Sequence, residues 1–129
     1  MPLTERDPEA MLPLTPAVFH ILLALAAGER HGYSIMQEIT AQTQGKFRLG
    51  PTTLYRSIKQ MLEASLIVET EERPDPALDD ERRRYYRLSS FGSRVALAEI
   101  QRFERTIALA QSLPGLIGWQ AQPSLEGNI

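Results

Sequence analysis

The sequence contains no cysteine, and that absence removes two classes of architecture at once. No disulfide framework can form, and no site can hold zinc or an iron–sulfur cluster through thiolates; a reducing compartment, the cytoplasm, is the expected setting. Histidine is nearly as scarce, with only His20 and His31, placed on different expected elements. His20 stands in an apolar helical run, where a packed ring is the default reading rather than a metal ligand. No glycine-rich phosphate loop, serine elbow or carboxylate pair stands out, so neither enzymatic activity nor a cofactor or metal is expected. Long apolar runs are also missing. The longest, Val18 to Ala27, is interrupted by His20 and has about half of the roughly 20 residues needed to cross a bilayer. The opening stretch MPLTERDPEAMLPL sets Glu5, Asp7 and Glu9 against Arg6, where a secretory leader needs a basic start. A soluble protein with no membrane partner is the expectation.

What is present fits one domain and an extra helix: 129 residues with 43% hydrophobic content can bury a real core. The formal net charge of −2 conceals a segregated distribution. Between Lys46 and Gln60 stand Lys46, Arg48, Arg56 and Lys59 without an acid, and between Arg82 and Arg94 stand Arg82, Arg83, Arg84, Arg87 and Arg94, again without one. These two windows hold nine of the fourteen basic residues. The acids gather in Glu69, Glu71, Glu72, Asp75, Asp79, Asp80 and Glu81. Such a field suits a polyanionic partner, although solvated surface charge has the same signature.

The order of elements can be read from caps and periodicity. Residues 1–13 hold three prolines and no period, which predicts a flexible arm. Thr15 as cap and Pro16 as first helical residue open a helix at 16–27, closed by Gly28. A second helix spans Gly32 to about Thr43 with Ile35, Met36 and Ile39 inward, and Gly45 ends it. Pro51 begins a third, to about Ala64, on which Leu54, Ile58, Met61 and Leu62 form one apolar stripe. Leu66 to Val68 and Arg84 to Leu88 have strand character and bracket a polar loop with Pro74, Pro76 and Asp79, so a β-hairpin is expected there. Ser89 or Ser90 then caps a long helix at about 91–112, stopped by Pro114 and Gly115. The fold class expected is mainly α with a small β-hairpin, divided into an arm (1–13), a winged-helix domain (14–90), a C-terminal helix (91–112) and a tail (113–129).

Function is expected on two surfaces. Turning the third helix by about 100° per residue sets Thr52, Thr53, Arg56, Lys59 and Gln60 opposite the apolar stripe. Arg and Gln there can read guanine and adenine in the major groove, threonine can bond a base or touch a thymine methyl, and Tyr55 and Lys59 on the flanks suit phosphates. The competing reading is an ordinary exposed helical face. The arginines of the hairpin are placed to hold backbone phosphate or enter the minor groove, with the neighbouring Asp79, Asp80 and Glu81 able to neutralise them. On the fourth helix, Ala96, Ile100, Phe103, Ile107 and Ala110 recur at alternating spacings of four and three, the pattern of a two-helix seam. A packing face within one chain is the alternative.

Four strings then carry a resemblance: LTPAVFHILLAL from Leu14, HGYSIMQEI from His31, LGPTTLYRSIKQMLEASLIVE from Leu49 and RRRYYRLSSFGSRVALAE from Arg82. In combination they resemble the PadR family of bacterial transcriptional regulators, over most of the chain from Leu14 to about Ala110. The resemblance implies a winged helix-turn-helix domain with its third helix in the major groove, a long C-terminal dimerisation helix, and usually repression of a nearby gene. It assigns Thr52, Thr53, Tyr55, Arg56 and Lys59 to the DNA-facing helix, and Arg83, Arg84 and Tyr86 to the wing. With the seam, it makes Ile100, Phe103 and Ile107 the dimerisation residues. The partners expected are double-stranded DNA, a second copy of the chain and, left open, a small-molecule effector. Some relatives seat flat aromatic compounds at the dimer interface; here the seam supplies Phe103, while the single tryptophan, Trp119, lies in the tail. The alternative is a winged helix that binds a protein or a small molecule and regulates indirectly.

Overall fold

The computed structural model describes residues 6–70, 73–74 and 82–116. Helix α1, Pro16–Ala26, begins where Thr15, in extended conformation, accepts the Val18 N–H on its hydroxyl at 3.2 Å with Pro16 in the first turn. After it come strand β1, Arg30–His31, and helix α2, Gly32–Gln42. The cap of α2 is the His31 ring, whose Nδ1 accepts the Ser34 N–H at 3.2 Å. A turn built on Thr43 follows: its hydroxyl donates to the Ile39 carbonyl at 2.9 Å and accepts the Phe47 N–H at 3.1 Å. Gly45 sits in this turn at φ +76°, a left-handed conformation that glycine adopts at little cost. Helix α3, Pro51–Glu63, then completes a three-helix unit.

The chain next enters β2, Ile67–Glu69, and returns through β5, Tyr85–Leu88. Between them β3, Arg73–Pro74, pairs with β4, Arg82–Arg83, in a separate two-stranded ribbon. The main sheet is antiparallel with order β1-β5-β2, pairing Arg30 with Tyr86 and Val68 with Arg87. A third strand was not expected. Two residues at Arg30–His31 are too few to show a period of two, so β1 exists only because β5 offers it a free edge. Asp75, Pro76, Asp79, Asp80 and Glu81, the Arg82 side chain and Trp119 of the tail all lie outside the described residues.

Helix α4, Ser90–Gln111, opens on a network around Ser89. The Ser89 hydroxyl donates to the Ser65 carbonyl at 2.6 Å and accepts the Gly92 N–H at 2.8 Å, while its own N–H donates to the Leu66 carbonyl at 3.1 Å. Gly92 is required by this approach: a Cβ there would stand 1.9 Å from the Leu66 carbonyl oxygen.

Two compact units emerge, Met1–Glu99 and Ile100–Ile129. The first holds the core: Ile21, Leu22, Ile35, Ile39, Leu54, Met61, Leu66, Ile67 and Val95 are essentially inaccessible, each worth about 1.5–3 kcal/mol of apolar burial. Val95, Ala96, Ala98 and Glu99 are buried in the same unit, so the first turns of α4 pack with the three helices before them. Ala96 is therefore a core residue, not part of an intermolecular seam. Within the stretch expected as an arm, Pro8–Met11 forms a 3-10 helix capped by the Asp7 carboxylate, and Met11 and Leu12 pack against the core. The buried Glu99 carboxylate accepts the Leu14 N–H at 3.0 Å. The second unit consists, among the described residues, of α4 from Ile100 onward and a 3-10 turn at Pro114–Leu116, where the expected Pro114–Gly115 stop falls.

Candidate nucleic-acid interface

Helix α3 begins at an extended Gly50 that supplies no side-chain cap, with Pro51 following. Its first-turn N–H groups are thus left for an outside acceptor at the positive end of the helix dipole. The apolar stripe falls inward as expected, with Leu54, Ile58 and Met61 buried and joined by Ser57. Thr52, Thr53, Tyr55, Arg56, Lys59 and Gln60 are all exposed, as are Lys46 and Arg48 before them. The outer side of α3 is therefore a polar, basic strip with no acid until Glu63.

Tyr55 has a defined seat. A Cβ on Gly32 would lie 2.4 Å from its hydroxyl oxygen, so the phenol rests against the first turn of α2 and depends on a glycine there. This links HGY to TLY: His31 caps α2, Gly32 makes room, and Tyr55 fills it. Tyr33, 50% exposed beside this contact, was missed in reading the sequence because a single uncharged residue in the first turn of α2 carries no periodic or charge signal.

Tyr86, expected among the DNA contacts of the wing, is instead 5% exposed and part of the core. Tyr86 packs into the core, and Tyr85 is covered by its cross-strand partner His31, whose ring it meets edge-on at 5.3 Å. Burial raises the Tyr86 phenol above 10.0, and Glu69 and then Tyr55 push the same way against Arg84. That coupling puts the base of the wing beside the α3 face. A raised folded value means that the native chain holds this proton more tightly than the unfolded one. Its effect on stability is constant below about pH 10 and turns unfavourable as the pH climbs towards the folded value. Urea midpoints at about pH 8 and about pH 10.5 are expected to differ less in Tyr86→Phe than in the parent.

The model of the transcriptional regulator PadR-like family matches residues 21–98. The chain belongs to that family. A 72-residue stretch is 35% identical to an uncharacterised protein of Lysinibacillus sphaericus, covering 56% of this chain and 63% of that relative, so less than two thirds of the relative is spanned. Among solved structures, a transcriptional regulator from Clostridium thermocellum superposes with a TM-score of 0.63 at 22% identity, over 76% of this chain and 89% of that one. A PadR family transcription regulator from Clostridium difficile gives 0.63 at 21%, over 75% and 96%. At these identities the likeness is one of fold.

The family so matched is one of transcriptional regulators. Among the described residues no cluster of His, Asp or Glu could hold a metal, and no helix is long and apolar enough to cross a membrane. The PadR-like wing is charged but partly engaged. Arg84 Nε lies 3.6 Å from a Glu69 carboxylate oxygen with both side chains open to solvent, a pair worth little in water. Arg83 is half-buried, and Arg87 is exposed.

Proposed function

We propose that the chain is a homodimeric, sequence-specific DNA-binding repressor that acts in the cytoplasm. The observation that carries this reading is the exposed strip of Thr52, Thr53, Tyr55, Arg56 and Lys59 on a helix whose opposite side is fixed in the core. A helix anchored in this way can enter the major groove without repacking. Arg56 bonds a base edge, Thr52 and Thr53 lie near the entering end, and Lys59 and Tyr55 reach phosphates. Arg83 and Arg84 of the wing hold the flanking backbone. Ile100, Phe103 and Ile107 join two copies, so that paired recognition helices meet inverted half-sites about 34–36 Å apart. A dimer seated on promoter DNA would exclude polymerase, which makes repression the proposed output.

The test is titration of the chain against duplexes from its own upstream region, with random DNA as competitor, across a salt series. Arg56→Ala is expected to lose about 1–3 kcal/mol on the specific duplex and less on random DNA. Lys59→Ala is expected to weaken both alike and lower the salt slope by about 0.9 for each phosphate it no longer neutralises. Equal, unchanged binding by Arg56→Ala would place the reading face elsewhere. Failure of the parent to bind any DNA at low salt, with capture of a stoichiometric protein partner, would replace this reading with that of a protein-interaction module.

A further inference from the structure

Beside the C-terminal end of α3 the first unit contains a cleft of about 240 Å³. Met11, Pro13, Leu14, Thr15 and Val18 form one wall, and Gln60, Met61, Ala64 and Leu66 the other. We propose that this cleft binds a small, uncharged, mainly apolar molecule of about two fused rings carrying one hydrogen-bonding group, and that its occupancy alters DNA affinity. The second half rests on the DNA-binding reading above; the first does not.

Three observations define the ligand. No lining residue is charged, so an ionised group would enter without a counter-ion and at a high desolvation cost. The volume exceeds the roughly 150 Å³ of apolar cavity that suffices for benzene, which admits a second ring. Two polar groups border the space. Thr15 accepts the Val18 N–H on its hydroxyl oxygen and keeps the hydroxyl hydrogen to donate, and the Gln60 carboxamide has no hydrogen-bond partner among the described residues. A hydroxyl or carbonyl on the ligand would satisfy either.

The coupling follows from what the walls are attached to. Gln60 and Met61 share their turn of α3 with Lys59, on the strip proposed to face DNA. The opposite wall belongs, apart from Val18 of α1, to the N-terminal segment, which is held over this end of the helix. Arg6 donates to the Ala64 carbonyl and lies 4.3 Å from the centre of the Phe91 ring, and the Leu14 N–H is bound by buried Glu99. A body lodged between segment and helix acts on the orientation of α3.

The probe is 2-naphthol, neutral at pH 7, with 2-naphthoate as its charged counterpart, titrated into the full chain labelled with ¹³C at the methionine methyls. Binding of 2-naphthol with a Kd on the order of 100 μM, at least ten-fold tighter than 2-naphthoate, is expected. The Met11 and Met61 methyls should shift while Met36, which does not line the cleft, stays in place. Ala64→Leu, which fills the cleft, should weaken binding at least ten-fold. Absence of binding at 2 mM, equal affinity for both probes, or shifts largest at Met36 would overturn the site, and the methyl readout needs no variant to fold. Saturating 2-naphthol should change the affinity for specific DNA at least three-fold, with DNA changing naphthol affinity by the same factor. DNA affinity unmoved by bound naphthol would overturn the effector role alone, whereas a chain that binds naphthol and no DNA would overturn the regulator reading and leave the site standing.

Discussion

Gly92→Ala is expected to destabilise the first unit by about 3 kcal/mol or more, at the upper end of overpacking costs. The added Cβ would stand 1.9 Å from the Leu66 carbonyl oxygen and 2.9 Å from its carbon, and both are backbone atoms that no rotamer change can move. Relief requires the first turn of α4 to withdraw from the Ser65–Leu66 corner. The same withdrawal stretches the Ser89 hydroxyl bond to Ser65 and the Ser89 N–H bond to Leu66, so the steric cost is added to that of two strained hydrogen bonds. Val95 and Ala96 would also be lifted off the core. A melting temperature lower by on the order of 15 °C is expected, against near-parental melting for Ser93→Ala, one position along and exposed. A drop of under about 3 °C would mean that α4 does not dock on the Leu66 carbonyl. Gly32 differs in what crowds it. There the crowding atoms belong to the end of the Tyr55 side chain, which can swing into solvent, so an alanine should disturb the α3 surface more than the stability of the fold.

The helices were legible because each announces itself by chemistry local to the chain. Thr15–Pro16 and Pro51 mark helix starts through a hydroxyl acceptor or a preset φ, and the Leu54–Ile58–Met61 stripe requires only a periodicity of 3.6. The exposed residues of α3 follow from the same turn angle, which is why all five expected DNA-facing residues of that helix lie on its outer side. What remained hidden depends on partners distant in sequence. Alternation along a strand would put Tyr85 and Tyr86 on opposite faces with one of them in solvent, but pairing with β1 sets the His31 ring against Tyr85 and both are buried. Ala96 matches the spacing of a seam as well as Ile100 does; only the closeness of α4 to Leu66, permitted by Gly92, assigns it to the core. Glu99 reads as a surface acid on a charged helix, yet it is buried and binds the backbone of Leu14, 85 residues earlier. The 3-10 helix at Pro8–Met11 was not legible because prolines at 2, 8 and 13 have the composition of an unstructured arm, while the apolar contacts of Met11 and Leu12 that hold it are tertiary.

Ile107→Asp is expected to convert a dimer of the 14.5-kDa chain into a monomer at micromolar concentration, read by sedimentation or light scattering. In the second unit Ile100, Phe103 and Ile107 are 36%, 40% and 45% exposed and lie along one side of α4. A run of large apolar groups open on a helix is what the proposed dimer would cover. The alternative, a packing face within one chain, predicts an unchanged mass for Ile107→Asp and a lower melting temperature instead. In a two-fold arrangement each copy contributes the same residue, so one substitution removes two isoleucines and introduces two carboxylates. The lost burial is about 2–3 kcal/mol per isoleucine and the desolvation of each unpaired charge costs several more. Even a total on the order of 6 kcal/mol weakens the dimer by about 10⁴-fold. Arg105→Ala, on the far side of the same helix turn, should leave the dimer intact. DNA binding then supplies a second reading of the same variant. A monomer reaches only one half-site and forfeits the gain of simultaneous engagement, so affinity for an inverted repeat should fall by at least about 100-fold, while affinity for an isolated half-site changes little. An Ile107→Asp chain that remained dimeric would move the interface to another surface. One that became monomeric yet bound the full operator as tightly as its parent would show that the two recognition helices do not act together.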